Sequence, residues 1–328
     1  MTGDSRYLIL GAAGQDGRIA LQKLSARGIE VLAGVHSRPS LAHAIHRVLP
    51  ESRVHLLDVT DRESIVAIIR RVKPTRILNL AGQSNVHLSW DQPASTFDSN
   101  TVGALNVLQA VRDLGLVDRV RLYQASSSEI FGRPKTSPQD ETTAMHPVTP
   151  YGLSKASARS LSVMFRERFD VWVSNGILYN HESMYRPESY VVRHVSASVA
   201  RIKAGRQDAL EIGDMTARRD WGYAPDYVDG MLQMLEHDIP DDFVLATGAS
   251  HSVRDLVEIA FASAGIDDWE QYLRIRPERI RSVEPAMLVG DARKARETLN
   301  WSPSYSFGEM VANLVKHDLS RARSRMRP

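Results

Sequence analysis

The residues with the clearest chemical potential are Tyr151 and Lys155, in the run Tyr151-Gly-Leu-Ser-Lys155. On a helix, a spacing of four puts both side chains on one face. A phenol with an ordinary pKa of about 10 is a poor base at neutral pH, and lowering it by about three units takes roughly 4 kcal/mol. A lysine ammonium beside the ring supplies part of that stabilisation, and a second cation at the same place supplies more. Taken alone, such a pair arises often by chance. Here it follows a strand-like Arg119–Gln124 and the hydroxyl-rich run Ala125-Ser126-Ser127-Ser128-Glu129.

A second group sits near the amino terminus. Gly11-Ala12-Ala13-Gly14-Gln15-Asp16-Gly17 lies between an apolar run, Tyr7–Leu10, and a helical stretch near Gln15–Arg27. In that setting the first glycine permits a tight turn, and the second lets a pyrophosphate approach the backbone. The third allows helix to pack on sheet, and the helix start offers N–H donors to phosphate. Strand before and helix after make this a dinucleotide site rather than an ordinary turn. A nicotinamide cation there would be the second charge acting on Tyr151. NAD sites place an acid about 20 residues on, but here the stretch is Val35-His36-Ser37-Arg38, with no acid between Glu30 and Glu51. Arg38 can neutralise a 2′-phosphate, which favours NADP over a reading of Arg38 as mere surface. Asp58 is placed either to accept from an adenine amino group or to cap the next helix.

The elements that must position these groups alternate. Strand-like Tyr7–Leu10, Val31–Val35, Val54–Leu57, Ile77–Leu80 and Val120–Tyr123 are separated by helical stretches. Gly28 sits where the first helix should stop. Asp61–Val72 carries Ile65, Ile68 and Ile69 on one face, and Pro93 opens a long helix with Leu105, Leu108 and Val111 in one stripe. Tyr151 to about Arg168 is a further helix and Val171–Tyr179 a further strand. This order predicts an α/β protein with a Rossmann-type, doubly wound parallel sheet. Beyond Asn180 the alternation weakens, which suits a smaller, irregular α/β substrate-binding domain. The expected division is 1–176 with 222–253 for the cofactor, and 177–221 with 254–328 for the substrate.

Composition narrows the alternatives. The 328 residues are 43% hydrophobic, enough for a full core, and no stretch approaches the ~18–20 apolar residues of a membrane span. The first residues lack the apolar run and cleavage site of a secretory signal. There is no cysteine, which excludes disulfides, thiolate nucleophiles and Cys-ligated metals and fits a cytoplasmic protein. Lys plus Arg (41) nearly balances Asp plus Glu (39), so a nucleic-acid partner is not expected. The basic run Arg321, Arg323, Arg325, Arg327 reads as a solvated tail. His43 and His46 are three apart without a carboxylate partner, and no metal is expected.

The chain resembles the extended short-chain dehydrogenase/reductases, and among them the GDP-mannose 4,6-dehydratases, from about residue 7 to 319. The resemblance rests on Gly-Gln-Asp-Gly at 14–17, Asn-Leu-Ala-Gly-Gln-Ser at 79–84, Tyr-Gln-Ala-Ser-Ser-Ser-Glu at 123–129 and Pro-Tyr-Gly-Leu-Ser-Lys at 150–155. Most specific are Asn-Gly-Ile-Leu-Tyr-Asn-His-Glu-Ser at 175–183 and Arg-Asp-Trp-Gly at 219–222. It implies a catalytic set of Ser127, Glu129, Tyr151 and Lys155. Tyr151, aided by Ser127, takes the proton of the sugar C4 hydroxyl while hydride passes to NADP. Glu129 then removes the C5 proton, water leaves from C6, and hydride returns to C6. Cofactor contacts are implied at Gly11, Gly14, Gln15, Asp16, Gly17, Arg38, Asp58 and Leu80, with Tyr151 and Lys155 at the nicotinamide end.

For a GDP-sugar substrate the family pattern implies Asn180 and Arg219 near the diphosphate, Ser84 near the sugar, and Arg281 and Glu284 on a nucleotide-contacting stretch. Arg193, after a strand-like Tyr190–Val192, matches a family arginine. Arg219 has the alternative of an ion pair with Asp220, and Glu284 that of a surface carboxylate. The chain departs from the pattern at Ser127 for threonine, at Met184-Tyr185-Arg186-Pro187, at His194 for a guanine-contacting lysine, and around Arg281-Ser-Val-Glu284. A reductase or epimerase on a GDP-4-keto-6-deoxy sugar would share Ser127, Tyr151 and Lys155, and a non-catalytic NADP-binding sensor is the reading from another class. A homodimer is expected, through helices beginning near Pro93 and Tyr151. The loop after the second strand has one arginine where the family has a pair, which makes a homotetramer the less secure expectation.

Overall fold

The computed structural model describes residues 5–36, 45, 48–277 and 288–324. Its first half largely alternates strand and helix: β1 (Arg6–Leu10), α1 (Gln15–Ala26), β2 (Glu30–Val35), β3 (Val54–Leu56), α2 (Arg62–Val72) and β4 (Arg76–Asn79). Then come α3 (Val86–Asp91), α4 (Pro93–Phe97), α5 (Gly103–Asp113), β5 (Arg121–Ala125), α6 (Pro150–Phe169) and β6 (Val173–Leu178). The second half holds β7 (Asn180–Glu182), α7 (Val191–Lys203), β8 (Leu210–Ile212), β9 (Arg218–Tyr223), α8 (Ala224–Glu236) and β10 (Asp242–Leu245). It closes with β11 (Ser250–Ser252), α9 (Val253–Ser263), β12 (Leu273–Ile275), α10 (Arg293–Leu299) and α11 (Phe307–Ser324).

Seven parallel strands form one sheet in the order β10-β6-β5-β4-β1-β2-β3. The order reverses between β1 and β4, and a doubly wound sheet opens its ligand crevice at that point. Alternation within β1 shows how the two faces are filled. Tyr7 and Ile9 join the layer of α1 and α8, while Leu8 and Leu10 join that of α2 and α5. Gly28 ends α1 as expected, at φ +70 with Ile29 N–H returning to the Leu24 carbonyl.

A third apolar cluster, around Val195, Val199, Phe261, Val311 and Leu314, holds α7, α9 and α11 together beside the sheet. Helix α10 lies across the expected boundary: Ala295 and Leu299 pack in the sheet's own core. Two expected elements differ. The long helix from Pro93 is interrupted by a π-turn at Asp98–Val102, which turns Asn100 inward. Tyr190–Val192 is not a strand: Tyr190 is the residue before α7, which Val191 and Val192 begin. Among the described residues no helix is long and apolar enough to cross a membrane.

Candidate active site

The phosphate loop leaves β1 at the reversal of strand order. Gly11 has φ +78, and a Cβ there would lie 2.7 Å from the Ala81 nitrogen at the end of β4. A Cβ on Gly17 would meet the Gly11 carbonyl oxygen at 2.6 Å, so α1 packs on its own loop only as glycine. Gly14 starts α1, and no side chain caps the helix, which leaves its first-turn N–H groups facing the crevice. Loop, helix start and neighbouring Leu80 together make a cradle that fits a dinucleotide pyrophosphate.

Gln15 is buried, and Asp16 lines the cleft. Asp16 Oδ2 is 3.1 Å from His181 Nε2, and Gln15 donates to the His181 carbonyl and accepts from Ser183. Burial works against the Asp16 charge, but His181 pulls its pKa down overall, and Asp16 raises that of His181 against the same penalty. These contacts tie the phosphate loop to β7.

The expected catalytic residues gather just beyond β5 and on the first turns of α6. Ser127 precedes a single helical turn, Ser128–Ile130, and accepts from Glu129 N–H at 3.3 Å. Thr149 caps α6 through Gly152 N–H, and Pro150 opens its first turn. A Cβ on Gly152 would strike the Glu129 carbonyl at 2.6 Å, so this glycine lets the start of α6 lie against the Glu129 turn. Tyr151 and Lys155 follow on one face, with Lys155 Nζ 6.0 Å from the Tyr151 ring centre. The Tyr151 phenol hydrogen-bonds Ser127, which lowers its pKa, yet burial dominates and holds it above its ordinary value in the chain alone. Lys155 donates to the Ala125 carbonyl at 3.1 Å, and burial pushes its pKa down to about 8.

These groups line a cleft of about 690 Å³ together with Leu80, Ser84, Asn180 and Arg219. Arg219 donates to the Arg218 carbonyl at 2.7 Å. Asp220 faces the opposite way, accepting from Thr247, Gly248 and Gly290, so the ion pair between these neighbours does not form. His194 lies in the cleft wall with Nε2 2.8 Å from the Glu211 carbonyl.

Arg193 requires a correction. It is 2% exposed on α7, and its guanidinium grips Asp318 of α11 through both nitrogens while also donating to Ser196. It holds two helices together and does not line the cleft. Asp58 accepts from Thr60 N–H and Oγ1, and the cap of α2 is Asp61, so the helix-cap alternative for Asp58 falls. Arg38, Arg281 and Glu284 lie outside the described residues, as do His43 and His46. Among the described residues no three His, Asp or Glu side chains could hold a metal ion.

Several residues in and behind the cleft were not singled out as site residues. Glu182, 3% exposed, lies 3.5 Å from Arg186 Nε. The Arg186 guanidinium stacks 3.9 Å from the Tyr190 ring centre. Asn100 accepts from Gln83 N–H and donates to Ser154, fixing the loop after β4 against α6. The Asn-His-Glu-Ser run carries the signal for Glu182, whereas nothing in local spacing marks Tyr190 or Asn100.

A family model described as GDP-mannose 4,6 dehydratase matches residues 8–314. A human GDP-mannose 4,6 dehydratase is 38% identical, over 97% of this chain and 92% of its own. One from Sinorhizobium fredii is 37% identical, over 98% of this chain and 99% of its own. Among solved structures, a dTDP-glucose 4,6-dehydratase from Streptomyces venezuelae, with NAD bound, superimposes with a TM-score of 0.84 at 20% identity, covering 98% of this chain and 99% of that one. RMD from Pseudomonas aeruginosa, complexed with NADPH, gives 0.81 at 23% identity, covering 97% and 100%. Glycine cradle, buried Tyr–Lys pair and adjoining carboxylate thus accompany end-to-end sequence similarity, and the chain belongs to the GDP-mannose 4,6-dehydratase family.

Proposed function

We propose that the protein is an NADP-dependent sugar-nucleotide 4,6-dehydratase. It converts GDP-mannose, or a close GDP-sugar such as GDP-manno-heptose, to the GDP-4-keto-6-deoxy sugar. The observation that carries this reading is a carboxylate, Glu129, in the same cleft as Ser127, Tyr151 and Lys155. The last three suffice for oxidation at a carbinol, and elimination needs a further base.

When bound, the nicotinamide supplies the hydride acceptor for C4 and the donor for C6. Tyr151 takes the C4 hydroxyl proton, with Ser127 fixing the phenol by hydrogen bond and Lys155 placing a cation beside it. The resulting ketone acidifies C5–H. Glu129 removes that proton and gives it to the departing C6 hydroxyl, so one carboxylate serves as base and then acid. C5 regains a proton, which balances the one Tyr151 took from the C4 hydroxyl, as C6 gains hydride, and the net change is one water lost. Asn180 and Arg219 serve the diphosphate in this reading. NADP is preferred on the absence of an acid after β2 and the presence of Arg38 in the sequence. We read the assembly as a homodimer, supported by the exposed Phe97, Leu153 and Met164 on the outer faces of α4 and α6.

Replacing Glu129 by Gln tests the assignment. In a single turnover the variant should still oxidise C4, seen as reduced nicotinamide absorbance, while water loss slows about 10²–10⁴-fold. Unimpaired turnover of a 4-keto sugar with NADPH by the same variant would instead mark a reductase.

A further inference from the structure

The cleft contains a pair of hydroxyls that this chemistry leaves unused. Ser84 Oγ and the Tyr190 hydroxyl are 2.9 Å apart. Ser84 belongs to the loop after β4, and Tyr190 is the residue before α7, so the bond spans the cleft from the sheet side to the helical layer. The Tyr190 ring is braced from behind by the Arg186 guanidinium, which Glu182 holds in turn. The pair lies at the reacting end. A Cβ on Gly82, two residues before Ser84, would be 3.8 Å from Lys155 Nζ. Tyr190 is also close enough to Tyr151 to raise its phenol pKa.

We propose that Tyr190 is a substrate-positioning residue which, together with Ser84, reads two vicinal hydroxyls of the pyranose ring; this rests on the sugar-nucleotide reading above. Each hydroxyl is one donor and two acceptors. Their mutual bond uses one proton, and the other proton and the spare lone pairs are left for a ligand. Vicinal ring oxygens sit at about the same spacing as the pair, roughly 2.7–3.0 Å, so the four hydroxyls can close a ring of O–H···O bonds. Such rings polarise one another favourably. Neither partner is charged, which suits a neutral polyol. A phosphate is better matched by a guanidinium such as Arg219.

The test is Tyr190→Phe, which removes one oxygen and keeps the ring over Arg186. Binding of GDP-mannose and of GDP is measured by calorimetry on both proteins in the presence of NADPH, which cannot accept hydride from C4 and so prevents turnover. The account predicts that GDP-mannose binds about three- to tenfold more weakly to the variant, the range for one neutral hydrogen bond, while GDP affinity is unchanged. The larger part of the kinetic effect falls on KM rather than kcat. Ser84→Ala combined with Tyr190→Phe costs less than the sum of the two, because they share a bond. Unchanged GDP-mannose affinity in the variant, or equal weakening of GDP, overturns the proposal. If the wild type binds GDP-mannose more tightly than GDP yet releases no water, the dehydratase reading falls while the same comparison still decides Tyr190.

Discussion

Lys155 is held where its charge is poorly solvated, 6% exposed and with a pKa pushed from 10.5 down to about 8 by burial. The folded state therefore carries a penalty that is complete below about pH 8 and shrinks as the pH rises towards 10.5, where the unfolded chain also loses the proton. Removing the charge while keeping the stem should relieve it. Lys155→Met in nucleotide-free protein is expected to raise the melting midpoint by a few degrees at pH 7, with the gain fading between pH 8 and 10.5, while dehydration is lost. A lower midpoint at every pH would contradict this. Tyr151 and Lys155 were legible in the sequence because a four-residue helical spacing is a local rule. Arg186 and Tyr190 were not, since their convergence on Glu182 depends on how the 184–190 turn folds back on β7 and no local period encodes that. The same limit misplaced Arg193, whose partner Asp318 is 125 residues away.

At the scale of elements, the Arg193–Asp318 pair fastens α7 to α11. Breaking it leaves a buried charge without compensation, a cost of about 3–5 kcal/mol. Arg193→Met should therefore lower the denaturant midpoint strongly, and Arg193→Met with Asp318→Leu should recover most of the loss. A raised KM at unchanged stability would instead return Arg193 to the substrate. Six of the seven sheet strands were readable as apolar runs bounded by turn residues, whereas β10 was not singled out. β7, β8, β11 and β12 have only three residues each, too few to show a period. The π-turn at Asp98–Val102 lies in a run of weak helix formers with no Gly or Pro to mark a break, and Asn100 is drawn inward by the distant Gln83 and Ser154.

For the whole molecule, Leu153 and Met164 lie eleven residues apart on α6, hence on one face, at 51% and 60% exposure, and Phe97 of the adjoining α4 is also exposed. In the homodimer reading these exposed apolar side chains form the association surface. Leu153→Glu with Met164→Glu should convert a dimer to a one-chain particle by light scattering; a wild type that already scatters as one chain would remove this reading. The doubly wound architecture followed from the alternation of elements, but the place of the cleft, where the strand order reverses, shows only in the structure. The central claim is that oxidation, elimination and reduction occur within one bound sugar. Its most direct test is GDP-mannose carrying deuterium at C4, incubated with the protein and a catalytic amount of NADP. The account predicts a product lighter by one water, with the deuterium now at C6 and no net reduced cofactor. Deuterium accumulating in NADPH, or a product that keeps its oxygen at C6, would contradict it.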